Sequence, residues 1–132
     1  MTGIKTVSLG EINKITGKVV DAAIRVHTAL GPGLLESVYE HCLAIELSSR
    51  GIKVERQVPI PVVYKRTRLE IGFRIDLLVD DCLIVELKAV EEVLPIHEAQ
   101  VFTYLRLTGN RVGLLLNFNV ISMKNGLKRI IL

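Results

Sequence analysis

Apolar residues recur at helical spacing over residues 11–30, at Ile12, Ile15, Val19, Ala22, Ala23, Val26 and Leu30. Gly31-Pro32 follows, glycine after the last turn and proline beyond it, which predicts the end of a helix. A second helix is expected over residues 34–50, burying Leu35, Val38, Cys42, Ile45 and Tyr39 and stopping at Gly51. The period then shortens to that of strands. Residues 52–58 and 60–64 flank Pro59, and Pro61 assigns the second piece to a sheet edge or a bulge, because proline cannot donate to a ladder. Residues 69–79 and 83–90 read as a hairpin. Pro95 opens a third helix through Thr108, closed by Gly109-Asn110. Residues 112–117 form a further buried strand, and Asn125-Gly126 reads as a hairpin-type turn before a last strand over 127–132. The order α-α-β-β-β-α-β-β, with a strand-helix-strand passage after Lys88, requires a crossover and at least one parallel pair. An α/β (α+β) fold is expected, a mixed sheet flanked by helices.

Within that pattern, Phe73 to Lys88 (F-R-I-D-L-L-V-D-D-C-L-I-V-E-L-K) stands out. Asp76, Glu86 and Lys88 interrupt strands otherwise made of buried types, and a charge leaves water only at a cost of several kcal/mol unless it is paired or metal-bound. Side chains alternate along a strand, so Gly72, Arg74, Asp76 and Leu78 share a face, as do Ile84, Glu86 and Lys88. A two-residue turn at Asp80-Asp81 would pair Asp76 with Val85 and separate the carboxylates. An odd loop, Asp80-Asp81-Cys82 with a bulge, pairs Asp76 with Glu86 and is the expected form. A buried ion-pair network that fixes strand register would use the same three residues.

Composition narrows the class. The chain has 132 residues, 49% hydrophobic and 23% charged, the balance of one globular domain. No apolar run reaches the ~18 residues of a membrane span. The first residues, Met1-Thr2-Gly3-Ile4-Lys5, lack a signal-peptide core, so a cytoplasmic location is expected. Cys42 and Cys82 are too few for a disulfide framework and read as reduced core thiols. His27, His41 and His97 have no metal-ligand spacing and read as surface or satisfied helix histidines.

The formal charge is +3, with a pI near 9.0. With Glu36, Asp76 and Glu86 neutralised by a metal, 17 basic against 11 remaining acidic residues leave +6, which makes polyanion binding more plausible. Basic residues gather at Arg56, Lys65, Arg66 and Arg68, and again at Lys124, Lys128 and Arg129.

Glu36 falls one turn into the expected second helix, where its carboxylate can point across the sheet; the alternative is that, as an acid near a helix start, it simply caps the helix. Gln100 and Tyr104, four apart, share a face of the third helix, which the crossover returns toward Glu86 and Lys88. Tyr39 reads as packing, and Gly31-Pro32-Gly33 as a helix-to-helix turn or a phosphate cradle.

Gly33-Leu34-Leu35-Glu36-Ser37-Val38-Tyr39 resembles the namesake motif of the GxxExxY protein family. Glu98-Ala99-Gln100-Val101-Phe102-Thr103-Tyr104-Leu105-Arg106-Leu107-Thr108-Gly109 and Leu115-Leu116-Asn117-Phe118-Asn119 resemble it too, and the likeness spans about residues 15–132. That family is placed within the PD-(D/E)XK nuclease-like superfamily, so the resemblance implies a restriction-endonuclease-like mixed sheet. It implies Asp76 as the first acid, Glu86-Leu87-Lys88 as acid-x-lysine, Glu36 as the helical acid, and Gln100 with Tyr104 as the glutamine-tyrosine motif. Arg74-Ile75 stand where the name's proline would be, and superfamily members vary there.

The expected function is a metal-dependent phosphodiesterase, a nuclease acting on DNA in preference to RNA. Mg²⁺ (or Mn²⁺) would be held by Asp76 and Glu86, with Glu36 completing the shell directly or through water. Lys88 would position water or phosphate oxygens, Gln100 and Tyr104 would orient phosphate or the lysine, and Arg74 would touch substrate phosphate. The alternative is a non-catalytic nucleic-acid- or protein-binding module that retains the nuclease fold and uses Arg56, Lys65, Arg66 or Arg68. Hydrophobic edges at Val58 to Val63 and at Ile130-Ile131-Leu132 offer a homodimer or partner-subunit surface.

Overall fold

The computed structural model describes residues 7–132; the expectation for Met1 to Lys5, no export signal, lies outside them. The elements are α1 (Leu9–Leu30), α2 (Glu36–Ser49), β1 (Val54–Tyr64), β2 (Thr67–Val79), β3 (Leu83–Lys88), α3 (Pro95–Thr108), β4 (Val112–Asn117), a 3-10 turn (Met123–Gly126) and β5 (Leu127–Ile131). The strands form one sheet in the order β1-β2-β3-β4-β5. β3 and β4 run parallel across the α3 crossover, and the other neighbours are antiparallel.

The strand parity read from the sequence separates two cores. Leu77, Val79, Val85 and Leu87 join Val19, Ala23, Tyr39, Leu43 and Leu47 of α1 and α2. Leu78 and Ile84 join Val101 and Leu105 of α3, with Leu115 of β4 and Ile130 of β5. Each fully buried aliphatic side chain contributes roughly 1.5–3 kcal/mol, so β3 and β4, buried on both faces, anchor the sheet that bears the site. The expected β2–β3 register is present: Val79 pairs with Leu83, Leu78 with Ile84 and Leu77 with Val85, around a three-residue loop. Asp80 and Asp81 both take positive φ (50° and 58°), which short acids tolerate better than most residues. Lys53 ties the loop down, its ammonium 2.8 Å from Asp81 and its carbonyl accepting the Asp80 N–H at 2.8 Å.

Several expectations are corrected. α2 starts at Glu36, and it buries Tyr39, Glu40, Leu43, Ala44 and Leu47. Leu35, Val38 and Ile45 are exposed and Cys42 is half-buried, because α2 is apolar on two sides and the other one faces the sheet. Leu30 is likewise exposed. The two expected strand pieces around Pro59 form the single strand β1, with its register shift at Pro61/Val62, and β1 is indeed a sheet edge. A 3-10 turn replaces the hairpin-type turn at Asn125-Gly126. Val58, Ile60 and Ile130 pack into the α3-side core instead of lying open on the edges. Cys82 is buried, and neither cysteine forms a disulfide. His27 is a satisfied helix histidine, its Nε2 2.7 Å from the Val120 carbonyl oxygen.

Candidate metal centre at the parting of two strands

The β2–β3 register sets Asp76 opposite Glu86, but the ladder stops one pair short, at Leu77–Val85. From there the carboxylates themselves take the neighbouring strand's amides. Asp76 Oδ2 accepts the Leu87 N–H at 3.0 Å, and Glu86 Oε1 accepts the Asp76 N–H at 3.1 Å. Each acid is thus fixed to the strand opposite its own. Glu86 is 4% exposed, and its carboxyl is pushed up from 4.5 to about 9. Burial is the main cause and the charge of Asp76 the second, with Lys88 opposing both.

Glu36, first residue of α2, reaches across to the end of β3. Its carboxylate accepts the backbone N–H of Ala89, and its pKa is raised by burial first, with the charge of Lys88 working against that. The turn that delivers it is locked by Tyr39, whose hydroxyl donates to the Gly31 carbonyl at 2.6 Å and accepts the Leu34 N–H at 3.1 Å. Gly33 sits between them with φ 98°, a conformation that favours glycine. The Tyr39 ring stacks on Phe118, centroids 4.6 Å apart. Phe118 in turn donates its N–H to the Lys88 carbonyl at 2.9 Å. Beside it, buried Asn117 donates to the Val90 carbonyl at 2.9 Å and accepts the Val90 N–H at 3.1 Å. The segment after Lys88 and the α1–α2 turn are therefore held by one connected set of contacts.

α3 supplies the other wall. Tyr104 is buried, its ring stacked on Phe73 at 4.2 Å. Its hydroxyl pKa is raised, chiefly by burial and then by the charges of Glu86 and Asp76, while a side-chain hydrogen bond from Gln100 opposes the shift. Asp76, Glu86, Lys88, Glu36, Gln100 and Tyr104 are thus brought into one neighbourhood. Arg74 lies two residues from Asp76 and is exposed.

Two polar residues at this site escaped the sequence reading. Glu40, 6% exposed, accepts from Gln57 Nε2 at 2.6 Å and from an Arg56 guanidinium nitrogen at 2.8 Å. Gln57 Nε2 also donates to Asp76 Oδ1 at 3.3 Å, so one amide ties Glu40 to the carboxylate of Asp76. Gln57 adopts φ 52°, a left-handed turn inside β1 that no periodicity signals. Glu40 did carry a signal: it is four residues from Glu36 and so on the same helix face.

Oxygen donors from Asp76 and Glu86 suit a hard divalent cation, and such a cation would offset the like charge that raises Glu86. Among the described residues no group of three His, Cys, Asp or Glu side chains is gathered as a ready-made cage. Mg²⁺ commonly binds through one or two carboxylates and keeps several waters, so the pair fits it.

A mixed five-stranded sheet flanked by helices, with two opposed carboxylates and a lysine where its strands part, defines a restriction-endonuclease-like α+β protein. A model of the PD-(D/E)XK nuclease superfamily matches residues 13–130, and the chain belongs to that superfamily. Nucleases of this superfamily generally use divalent metals. Neither a curated protein nor a solved structure gives a significant match. No helix among the described residues is long and apolar enough to cross a membrane.

Proposed function

We propose that the chain is a Mg²⁺- or Mn²⁺-dependent nuclease acting on DNA, in the GxxExxY branch of its superfamily. The observation that carries this reading is the opposition of Asp76 and Glu86 on strands that part beside Lys88. The Gly33–Glu36–Tyr39 spacing supports the branch, since Tyr39 bonds the turn from which Glu36 reaches Ala89.

Asp76 and Glu86 would hold the cation, and Glu36 would reach it through water. When bound, the cation would lower the pKa of a coordinated water and offset charge growing on the phosphate. Lys88 places a compact positive charge beside the pair and steadies phosphate oxygens or the attacking water. Tyr104, a phenol that is protonated at neutral pH, would donate a hydrogen bond toward substrate phosphate and is oriented by Gln100. Glu40 and Gln57 position Asp76 from behind. Arg74 is a phosphate contact at the rim.

The test is hydrolysis of DNA in Mg²⁺ or Mn²⁺. Asp76→Ala, Glu86→Ala and Lys88→Ala are each expected to lower the rate by about 10²-fold or more with unchanged circular dichroism. Cleavage that survives these substitutions, or never occurs with any divalent metal, would move the reading to a non-catalytic binding module.

A further inference from the structure

β2 is thirteen residues long, but only Leu77 to Val79 pair with β3; of the ten before them, Asp76 lies unpaired opposite Gln57 and the rest pair with β1 alone or are skipped at the register shift. No residue from 61 to 74 is buried. Beyond the stack of Phe73 on Tyr104, the β1–β2 hairpin therefore leaves the sheet as a two-stranded arm, its tip on the order of 30 Å from Asp76 at ~3.3 Å per residue. Its root is closely built: at Gly72, beside the register shift, a Cβ would meet the Ile60 carbonyl oxygen at 2.1 Å.

The arm has a distinctive charge. Residues 61–74 contain Lys65, Arg66, Arg68 and Arg74 and a single acid, Glu70, which pairs with Arg68 at 2.9 Å. That is a net +3, equal to the net charge of the whole chain, so the remaining 13 basic and 13 acidic residues cancel. Of the other cations noticed in the sequence, Lys124 lies apart on the 3-10 turn and three are engaged elsewhere. Arg56 pairs with Glu40, Lys128 with Glu98, and Arg129 bonds to Asn13. Lys65 and Arg66 form the two-residue turn between paired Tyr64 and Thr67, with φ 48° and 68°. Asn-Gly suits such a turn far better than two long cations, and Tyr64 beside them is 65% exposed.

We propose that this arm is a duplex-gripping ribbon. It enters the major groove of double-stranded DNA, whose width admits a two-stranded β-ribbon, and Lys65, Arg66 and Arg68 contact the phosphates flanking the groove. Arg74 continues the positive track to the Asp76–Glu86 pair at the arm's root. The choice of DNA as the polyanion rests on the nuclease reading above; the gripping role rests on the arm's shape and charge.

The test uses Lys65→Asn with Arg66→Gly and Arg68→Thr. The first two install the favoured turn pair, so the hairpin is expected to fold at least as well, which a thermal melt checks. Binding of a labelled DNA duplex is measured by fluorescence anisotropy across a salt series in metal-free buffer, with cleavage in Mg²⁺ measured separately. Loss of three phosphate contacts is expected to weaken duplex binding by about tenfold or more and to reduce the salt slope by roughly 2–3. Equal affinity and slope in the variant, equal or tighter wild-type binding to single strands, or no wild-type binding would each overturn the ribbon. Arm-dependent binding without cleavage would uphold the ribbon and remove the nuclease. Cleavage and binding that ignore the arm would do the reverse.

Discussion

Glu86 is the residue whose chemistry dominates the site, and it makes the metal-free protein pH-sensitive. Its folded pKa, about 9, lies above the ordinary 4.5, so the folded state holds more protons than the unfolded state between those values. Stability is therefore full below that window and declines as pH rises through it, by at most about 1.4 kcal/mol per pH unit for one proton. Glu36, also raised, adds to the same trend. Thermal melts in EDTA across this range are expected to fall with pH, and Glu86→Gln is expected to flatten the profile; a wild-type profile that rises instead would mean Glu86 is ionised without metal. The Asp76–Glu86 pairing was legible in the sequence because two charges in apolar strands demand a partner and only an odd loop aligns them. Gln57 was not, and Glu40 was marked only by its spacing from Glu36. A helical glutamate reads as solvated by default, and the left-handed backbone at Gln57 leaves no mark on periodicity.

At the scale of elements, most boundaries followed from period and punctuation: α3 and β4 run over the expected residues, bounded by Pro95 and Gly109-Asn110. The face of α2 did not, because Leu35, Val38 and Ile45 form one apolar side and Tyr39, Leu43 and Leu47 another. The inward side is chosen by the stack of Tyr39 on Phe118, a contact 79 positions away that no local pattern contains. Leu35→Glu and Ile45→Glu are accordingly expected to change stability by no more than about 0.5 kcal/mol, whereas Leu43→Ala should cost about 2–5 kcal/mol. Urea denaturation separates the two outcomes. Tyr39→Phe leaves the Gly31 carbonyl and the Leu34 N–H without their partner, at an expected cost of about 1–3 kcal/mol. Because the same turn delivers Glu36, that variant should also cleave more slowly, which a positionless packing role would not produce.

For the whole molecule, stability, protonation and metal binding are one linked equilibrium. A cation held between Asp76 and Glu86 must displace the proton that burial keeps on Glu86, so binding should release protons and tighten as pH rises. Mg²⁺ should then raise the melting temperature most at the alkaline end, where the metal-free protein is weakest. The parallel β3–β4 pair and the antiparallel hairpin that build this centre were implied by the order of elements, while the length of the free arm was not, since pattern alone does not say where β3 stops pairing with β2. The most direct measurement is calorimetric titration of Mg²⁺ and Mn²⁺ into wild type, Asp76→Ala and Glu86→Ala, with folding followed by circular dichroism on the same samples. Saturable binding by wild type that both variants lose is the expected result. Binding retained by both variants, or none by wild type at millimolar metal even with a short DNA present, would contradict a metal centre at this pair.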